Sequence, residues 1–140
     1  MVRATDHDLP VSKPWGDSRS YDFVVGWPGH FVAVQVKSTT LGVKNDGYAC
    51  AVCNSGNKPY PAGSFDFLAA YVIYDDAWYI IPAEKILDLT RVTVYPRSAK
   101  SKYAAYREAW HLLGAGAESI PGHIDSIQSC AEEFSSDWIE

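Results

Sequence analysis

The chain predicts an α/β domain built on a central β-sheet, and three observations carry that expectation. Two β-rich runs, residues 21–26 and 31–37, flank Pro28-Gly29 and read as a hairpin. Residues 65–74 (F-D-F-L-A-A-Y-V-I-Y) are a continuous apolar run, the mark of a buried central strand. Tyr103, Tyr106, Trp110 and Leu113 fall at spacings of three, four and three, the apolar stripe of a helix over residues 100–113 that Gly114 stops.

At 140 residues the chain reads as one domain by length. Hydrophobic residues at 47% and charged residues at 21% match an ordinary soluble globule. No run reaches the ~18 apolar residues of a membrane span. The opening M-V-R-A-T-D-H-D lacks the apolar stretch of a signal peptide. Three cysteines, an odd number, argue against a disulfide framework and fit a reducing cytoplasm. The net charge of −5 is concentrated at one end. Residues 114–140 hold six of the 17 acids and none of the 12 bases, so residues 1–113 carry 11 acids against 12 bases, a net of +1. A near-neutral body with local basic patches is compatible with nucleic-acid contact.

In chain order, residues 1–10 read as the tail of a helix or a loop ending at Leu9-Pro10. Residues 11–17 are an irregular lead-in broken by Pro14 and Gly16, with Trp15 as a packing residue. Asp17 sits in turn chemistry or near a metal. In the hairpin, symmetric folding about Pro28–Gly29 pairs residues whose numbers sum to 57, which sets Asp22 opposite Gln35. Alternation then places Asp22, Gln35 and Lys37 on one face, with Phe23, Val34 and Val36 on the other. A type II turn twists poorly for a tight hairpin, so a wider loop through Trp27 and His30 is expected.

Residues 38–46 are polar and expected to leave the sheet just after Lys37. Ser38 and Thr39 offer hydroxyls, and Lys44 a charge, to phosphate oxygens. Residues 47–54 read as a third strand. Cys50-x-x-Cys53 lacks a second cysteine pair, so core packing is expected and no zinc. Residues 54–64, with Lys58 and Tyr60, form a long loop that lies across a substrate groove or merely connects strands. Asp75-Asp76 turns the buried strand into residues 78–81. A short helix (83–89) and a short strand (91–95) follow. Lys100 and Lys102 at the start of the 100–113 helix are candidate DNA-backbone contacts, with a solvated face as the alternative. After a Gly/Ala/Pro linker, Ile124, Ile127, Cys130 (or Ala131), Phe134 and Trp138 recur at helical spacing among acids, an amphipathic C-terminal helix within 114–140.

A carboxylate (Asp22) and an amide carbonyl (Gln35) are hard oxygen donors suited to magnesium. A lysine on the same face suits phosphodiester hydrolysis. The plain alternative is a solvated hairpin face with a weak Asp22–Lys37 pair. The strings Y-D-F-V-V and V-Q-V-K-S resemble the core of PD-(D/E)XK nucleases. The longer K-P-W-G-D-S-R-S-Y-D-F-V-V resembles the group I intron-associated branch, in which glutamine replaces the usual glutamate. The resemblance covers residues 11–112 and is strongest over 11–40. It implies a mixed central β-sheet flanked by helices, the restriction-endonuclease-like core, over a domain of residues 1–113.

The resemblance also implies a metal-dependent DNA endonuclease with Asp22, Gln35 and Lys37 as catalytic residues. Asp22, Gln35 and the Val36 carbonyl would hold Mg2+ or Mn2+, and a homo-oligomer would cut both strands. A DNA-binding module of the same fold without the chemistry is the second reading. The family's usual core has a longer helix before its last core strand, where this chain reads as loop. Its relatives also carry an acid on a helix before the first core strand. The short stretch holding Asp6 and Asp8 offers no such helix, so weak magnesium affinity is expected unless the chain extends upstream.

Overall fold

Runs rich in Val and Phe favour extended chain, and the computed structural model forms two strands of its main sheet from them. The structure describes residues 2–13, 20–27 and 29–114. The expectations for Trp15, Asp17, Pro28 and the C-terminal helix lie outside the described residues.

Five strands form the main sheet: β1 (Val11–Ser12), β2 (Phe23–Trp27), β3 (His30–Thr39), β6 (Phe67–Val72) and β7 (Ala77–Pro82), in the order β1-β2-β3-β6-β7. The β2–β3 register runs from Phe23↔Val34 to Trp27↔His30, every pair summing to 57 as expected. Pairing extends to Trp27↔His30, so the expected wider loop is corrected to a tighter connection. Gly29 takes φ +89, and Gly26 takes φ +130 with its N–H donated to the Pro10 carbonyl. A Cβ on Gly26 would collide with the His30 carbonyl oxygen. Gly26→Ala is therefore expected to cost at least about 2 kcal/mol in urea unfolding, from backbone strain plus overpacking. A stability equal to the parent would contradict this reading of the turn.

β3 and β6 are parallel, while the other neighbours in the main sheet are antiparallel, so the sheet is mixed as expected. A parallel pair needs a crossover of a dozen residues or more, usually a helix. Here the crossover contains β4 (Gly42–Val43), a 3-10 turn (Lys44–Asp46) and β5 (Gly47–Ala51). With β8 (Arg91–Val94), these strands make a second antiparallel sheet, β4-β5-β8. The predicted strand over 47–54 thus ends earlier and belongs to this second sheet. Asp66 closes the parallel pair, because its carboxylate accepts the Ala33 N–H and its own N–H donates to the Ala33 carbonyl, both at 2.8 Å.

The expectation of flanking helices is corrected. The α-helix among the described residues is the short α1 (Val2–Asp6), and the remaining helical pieces are 3-10 turns. One face of the main sheet is covered by the second sheet, in a core of Cys50, Val52, Leu68, Ala70, Val72, Tyr79, Ile81, Val92 and Val94. On the opposite face Val25, Val32, Val34, Ala69 and Ile80 meet Ala4, Leu9, Trp110 and Leu113. β6, expected to be a buried central strand, has Leu68, Ala69, Ala70 and Val72 inside.

The expected helix over 100–113 is also corrected. That stretch holds two 3-10 turns, Ala104–Tyr106 and Trp110–Gly114. Tyr103 and Tyr106 pack on the second-sheet side, whereas Trp110 and Leu113 pack on the opposite face. Between them the chain crosses the β7 edge, bridging Tyr79 to Arg107 and donating the Glu108 N–H to the Trp78 carbonyl at 2.7 Å. One helix cannot present a single stripe to both faces of a sheet. The predicted helix over 83–89 is likewise a 3-10 turn, Ala83–Lys85.

Candidate active site

Side chains on alternate positions of β3 face opposite layers. Val32, Val34 and Val36 join the core against α1, while Ala33 packs toward the second sheet, the side that Gln35 and Lys37 share by alternation. Asp22 immediately precedes β2, whose first pair is Phe23↔Val34, and its carboxylate meets the Gln35 side-chain amide. The predicted faces are those observed.

The contacts at this point are specific. Asp22 Oδ2 accepts the Val36 N–H at 2.8 Å and the Gln35 Nε2 amide at 3.0 Å. The same Gln35 nitrogen donates to the Val36 carbonyl at 3.4 Å. Asp22 also donates its own N–H to Val34 O at 2.9 Å, which fixes the residue beside the strand. Gln35 is only 7% exposed, so its amide orientation is set by these partners and not by solvent. One Asp22 carboxylate oxygen, the Val36 carbonyl and the Gln35 side-chain amide therefore converge. With its Oε1 turned to that point, Gln35 would complete three oxygen donors, a set that fits a hard divalent cation. Among the described residues no cluster of three or more His, Cys, Asp or Glu is present, so one carboxylate carries the charge of this set.

Lys37 lies half-buried on the same side, its Nζ 5.7 Å from the centre of the Tyr60 ring. Its charge reaches the buried Cys50: burial pushes that thiol up to about 11, and the nearby ammonium opposes the rise. Cys50 thus packs in the core beside the lysine, while Cys53 is partly exposed.

The candidate DNA contacts are not gathered here. Contrary to the expectation from sequence, Ser38 and Thr39 do not leave the sheet but remain in β3, paired with Tyr71 and Val72. Ser38 is exposed but, by alternation, shares the Val36 side of the strand. Thr39 is buried; its hydroxyl donates to the Ala49 carbonyl and accepts the Leu41 N–H, which commits it to joining the two sheets. Lys44 is exposed on the turn before β5, beside the Gly47–Tyr95 end of the second sheet. Lys37 instead approaches Cys50, farther along β5. Lys100 and Lys102 are exposed, with Lys102 Nζ 5.4 Å from the Tyr103 ring centre. They lie on irregular turns in place of the predicted helix start.

Sequence reasoning set Tyr60 in a loop without giving it a role. Its signal was the length and polarity of that loop; the strand register alone could not reveal that the ring returns to Lys37.

Residues 1–113 match the PD-(D/E)XK endonuclease family. The fold is similar to a solved bacterial homing endonuclease, I-Ssp6803I, at a TM-score of 0.68 and 31% identity, over 84% of this chain and 87% of that one. No curated protein matches the chain. The match spans the hairpin, its Asp22–Gln35–Lys37 face and both sheets, and the chain belongs to the PD-(D/E)XK endonuclease family.

Proposed function

We propose that the protein is a metal-dependent DNA endonuclease whose reaction centre is the Asp22–Gln35–Val36 point with Lys37 beside it. The observation that carries this reading is that the Gln35 amide nitrogen lies within hydrogen-bond distance of both the Asp22 carboxylate and the Val36 carbonyl, while the same carboxylate accepts the Val36 N–H. Membership of the endonuclease family and the likeness to a homing endonuclease support it.

Asp22, Gln35 Oε1 and Val36 O would hold Mg2+ or Mn2+, which supplies charge neutralisation at the scissile phosphate and a more acidic bound water. The protein's own part is to hold these oxygens on a rigid strand pair. Lys37 presents an ammonium on the same face, where it stabilises negative charge developing on phosphate oxygens and orients the attacking water. Exposed Lys44, Lys100 and Lys102 are proposed to meet the DNA backbone away from the reaction centre. Thr39 is withdrawn from that set, since its hydroxyl is committed to the sheet contact. One centre cuts one strand, so double-strand cleavage would take two copies.

Plasmid nicking tests the proposal. Nicking is expected with magnesium or manganese, absent in excess chelator and lost in Lys37→Ala. Cleavage that survives the chelator would refute the metal dependence. Salt-dependent DNA binding with no cleavage in either metal would favour a binding module of the same fold instead.

A further inference from the structure

The 52–66 connection does more than join β5 to β6. Its tip is built: Cys53 bridges Pro59, Asn54 exchanges backbone bonds with Asn57 and Lys58, and the Asn54 side chain accepts the N–H groups of Gly56 and Lys58. These bonds deliver Tyr60, whose ring lies edge-on to the buried Phe65 at 5.3 Å and 78°. The ring is thereby fixed before it meets a ligand, and the ammonium it meets is that of Lys37, 5.7 Å from its centre. An ammonium within ~6 Å of an aromatic ring is attracted by the ring quadrupole, and an N–H turned to the ring leaves the other donors available. A hydrogen-bonding partner would occupy those donors, which charge stabilisation at a phosphate requires.

We infer that Tyr60 is a positioning residue for Lys37, its ring holding the ammonium beside the Asp22–Gln35 point with N–H donors that face away from the ring presented to phosphate. The inference rests on the endonuclease reading of that point. Lysine has four rotatable bonds, and the ring removes part of that freedom before DNA arrives. The ring acts through its π face and not through the Tyr60 hydroxyl.

Three variants separate this role from simple packing. Tyr60→Phe and Tyr60→Trp keep a ring; Tyr60→Leu keeps apolar bulk without one. Two readouts are taken on the full chain: the ring-current shift of the Lys37 Hε protons by NMR, and the nicking rate at saturating DNA with magnesium. Upfield Hε shifts are expected in the parent and both ring-bearing variants and lost in Tyr60→Leu. Nicking should stay within about 2-fold in the ring-bearing variants and fall about 3- to 30-fold in Tyr60→Leu, with KM for DNA unchanged. Unshifted Hε protons in the parent, or equal nicking by the Leu and Phe variants, would overturn the inference. So would a loss shared by all three variants in proportion to melting temperature. Shifted Hε protons in a parent that nicks no DNA would sink the endonuclease reading while leaving the ring's hold on Lys37 in place.

Discussion

Asp22→Asn is expected to reduce metal-dependent nicking by at least about 100-fold, with little change in fold. Asparagine keeps the shape of the side chain and an oxygen for the Val36 N–H, the 2.8 Å bond that anchors the carboxylate. It removes the one negative charge that the described residues place at the point where Gln35 and the Val36 carbonyl converge. Metal affinity measured by calorimetry should fall with the activity, while the melting temperature stays close to that of the parent. Gln35→Glu makes the complementary case. Its new carboxylate would lie where an amide nitrogen now meets Asp22 Oδ2 at 3.0 Å, so two like charges face each other when no cation is present. In chelator the variant should melt below the parent; with magnesium its stability should recover and its metal affinity exceed that of the parent. A Gln35→Glu protein whose melting is indifferent to magnesium would mean that no cation is held there.

Glu108→Ala is expected to destabilise the protein by about 2–4 kcal/mol in urea unfolding. Glu108 Oε2 accepts the Trp78 N–H at 2.7 Å, and Oε1 accepts the Trp110 indole N–H and one Arg3 nitrogen, both at 3.0 Å. Removing the carboxylate leaves a backbone donor at the β7 edge and the indole of a buried tryptophan without their partner. Glu108→Gln should recover part of the loss. The outer half of the same clamp is exposed: Arg3 pairs with Asp76 at 2.8 Å, and the Tyr71 hydroxyl donates to Asp76 at 2.7 Å. The Tyr71 bond, then Arg3, holds the Asp76 carboxyl below its ordinary value. A lowered acid contributes stability above its unfolded pKa of about 4, and that contribution fades as pH falls through the lowered value. Tyr71→Phe should therefore cost a little at neutral pH and nothing in strong acid. A Glu108→Ala protein as stable as the parent would contradict the clamp.

The hairpin and its working face were legible because strand side chains alternate strictly and one sum fixes every pair. Asp22, Gln35 and Lys37 fall on one face for any symmetric fold about Pro28–Gly29, and the observed pairs keep that sum. The buried strand was legible as an uninterrupted apolar run, since Leu68, Ala69 and Ala70 are covered from both sides. The second sheet was not. β4 is two residues long and carries no period, and nothing local in the 38–54 stretch says that its strands will cover the main sheet in place of a helix. The 3-4-3 spacing of Tyr103, Tyr106, Trp110 and Leu113 misled for a related reason. The same spacing arises when a chain wraps a sheet edge, sending its first two aromatics to one face and its last two apolar residues to the other. Glu108, with φ +50, sits at that crossing, and one residue's left-handed backbone leaves no mark on hydrophobic periodicity. Thr39 was legible as a hydroxyl near the site but not as a buried link between two sheets, because its partner Ala49 belongs to the sheet that could not be foreseen.

Paramagnetic broadening by Mn2+ tests most directly whether the β2–β3 face is a cation-dependent centre. Substoichiometric manganese added to the isotopically labelled full chain should broaden the amide resonances of Asp22, Gln35, Val36 and Lys37 first, magnesium should reverse the effect, and Asp22→Asn should abolish it. Broadening centred elsewhere, or unchanged in Asp22→Asn, would contradict the assignment of the metal to these residues.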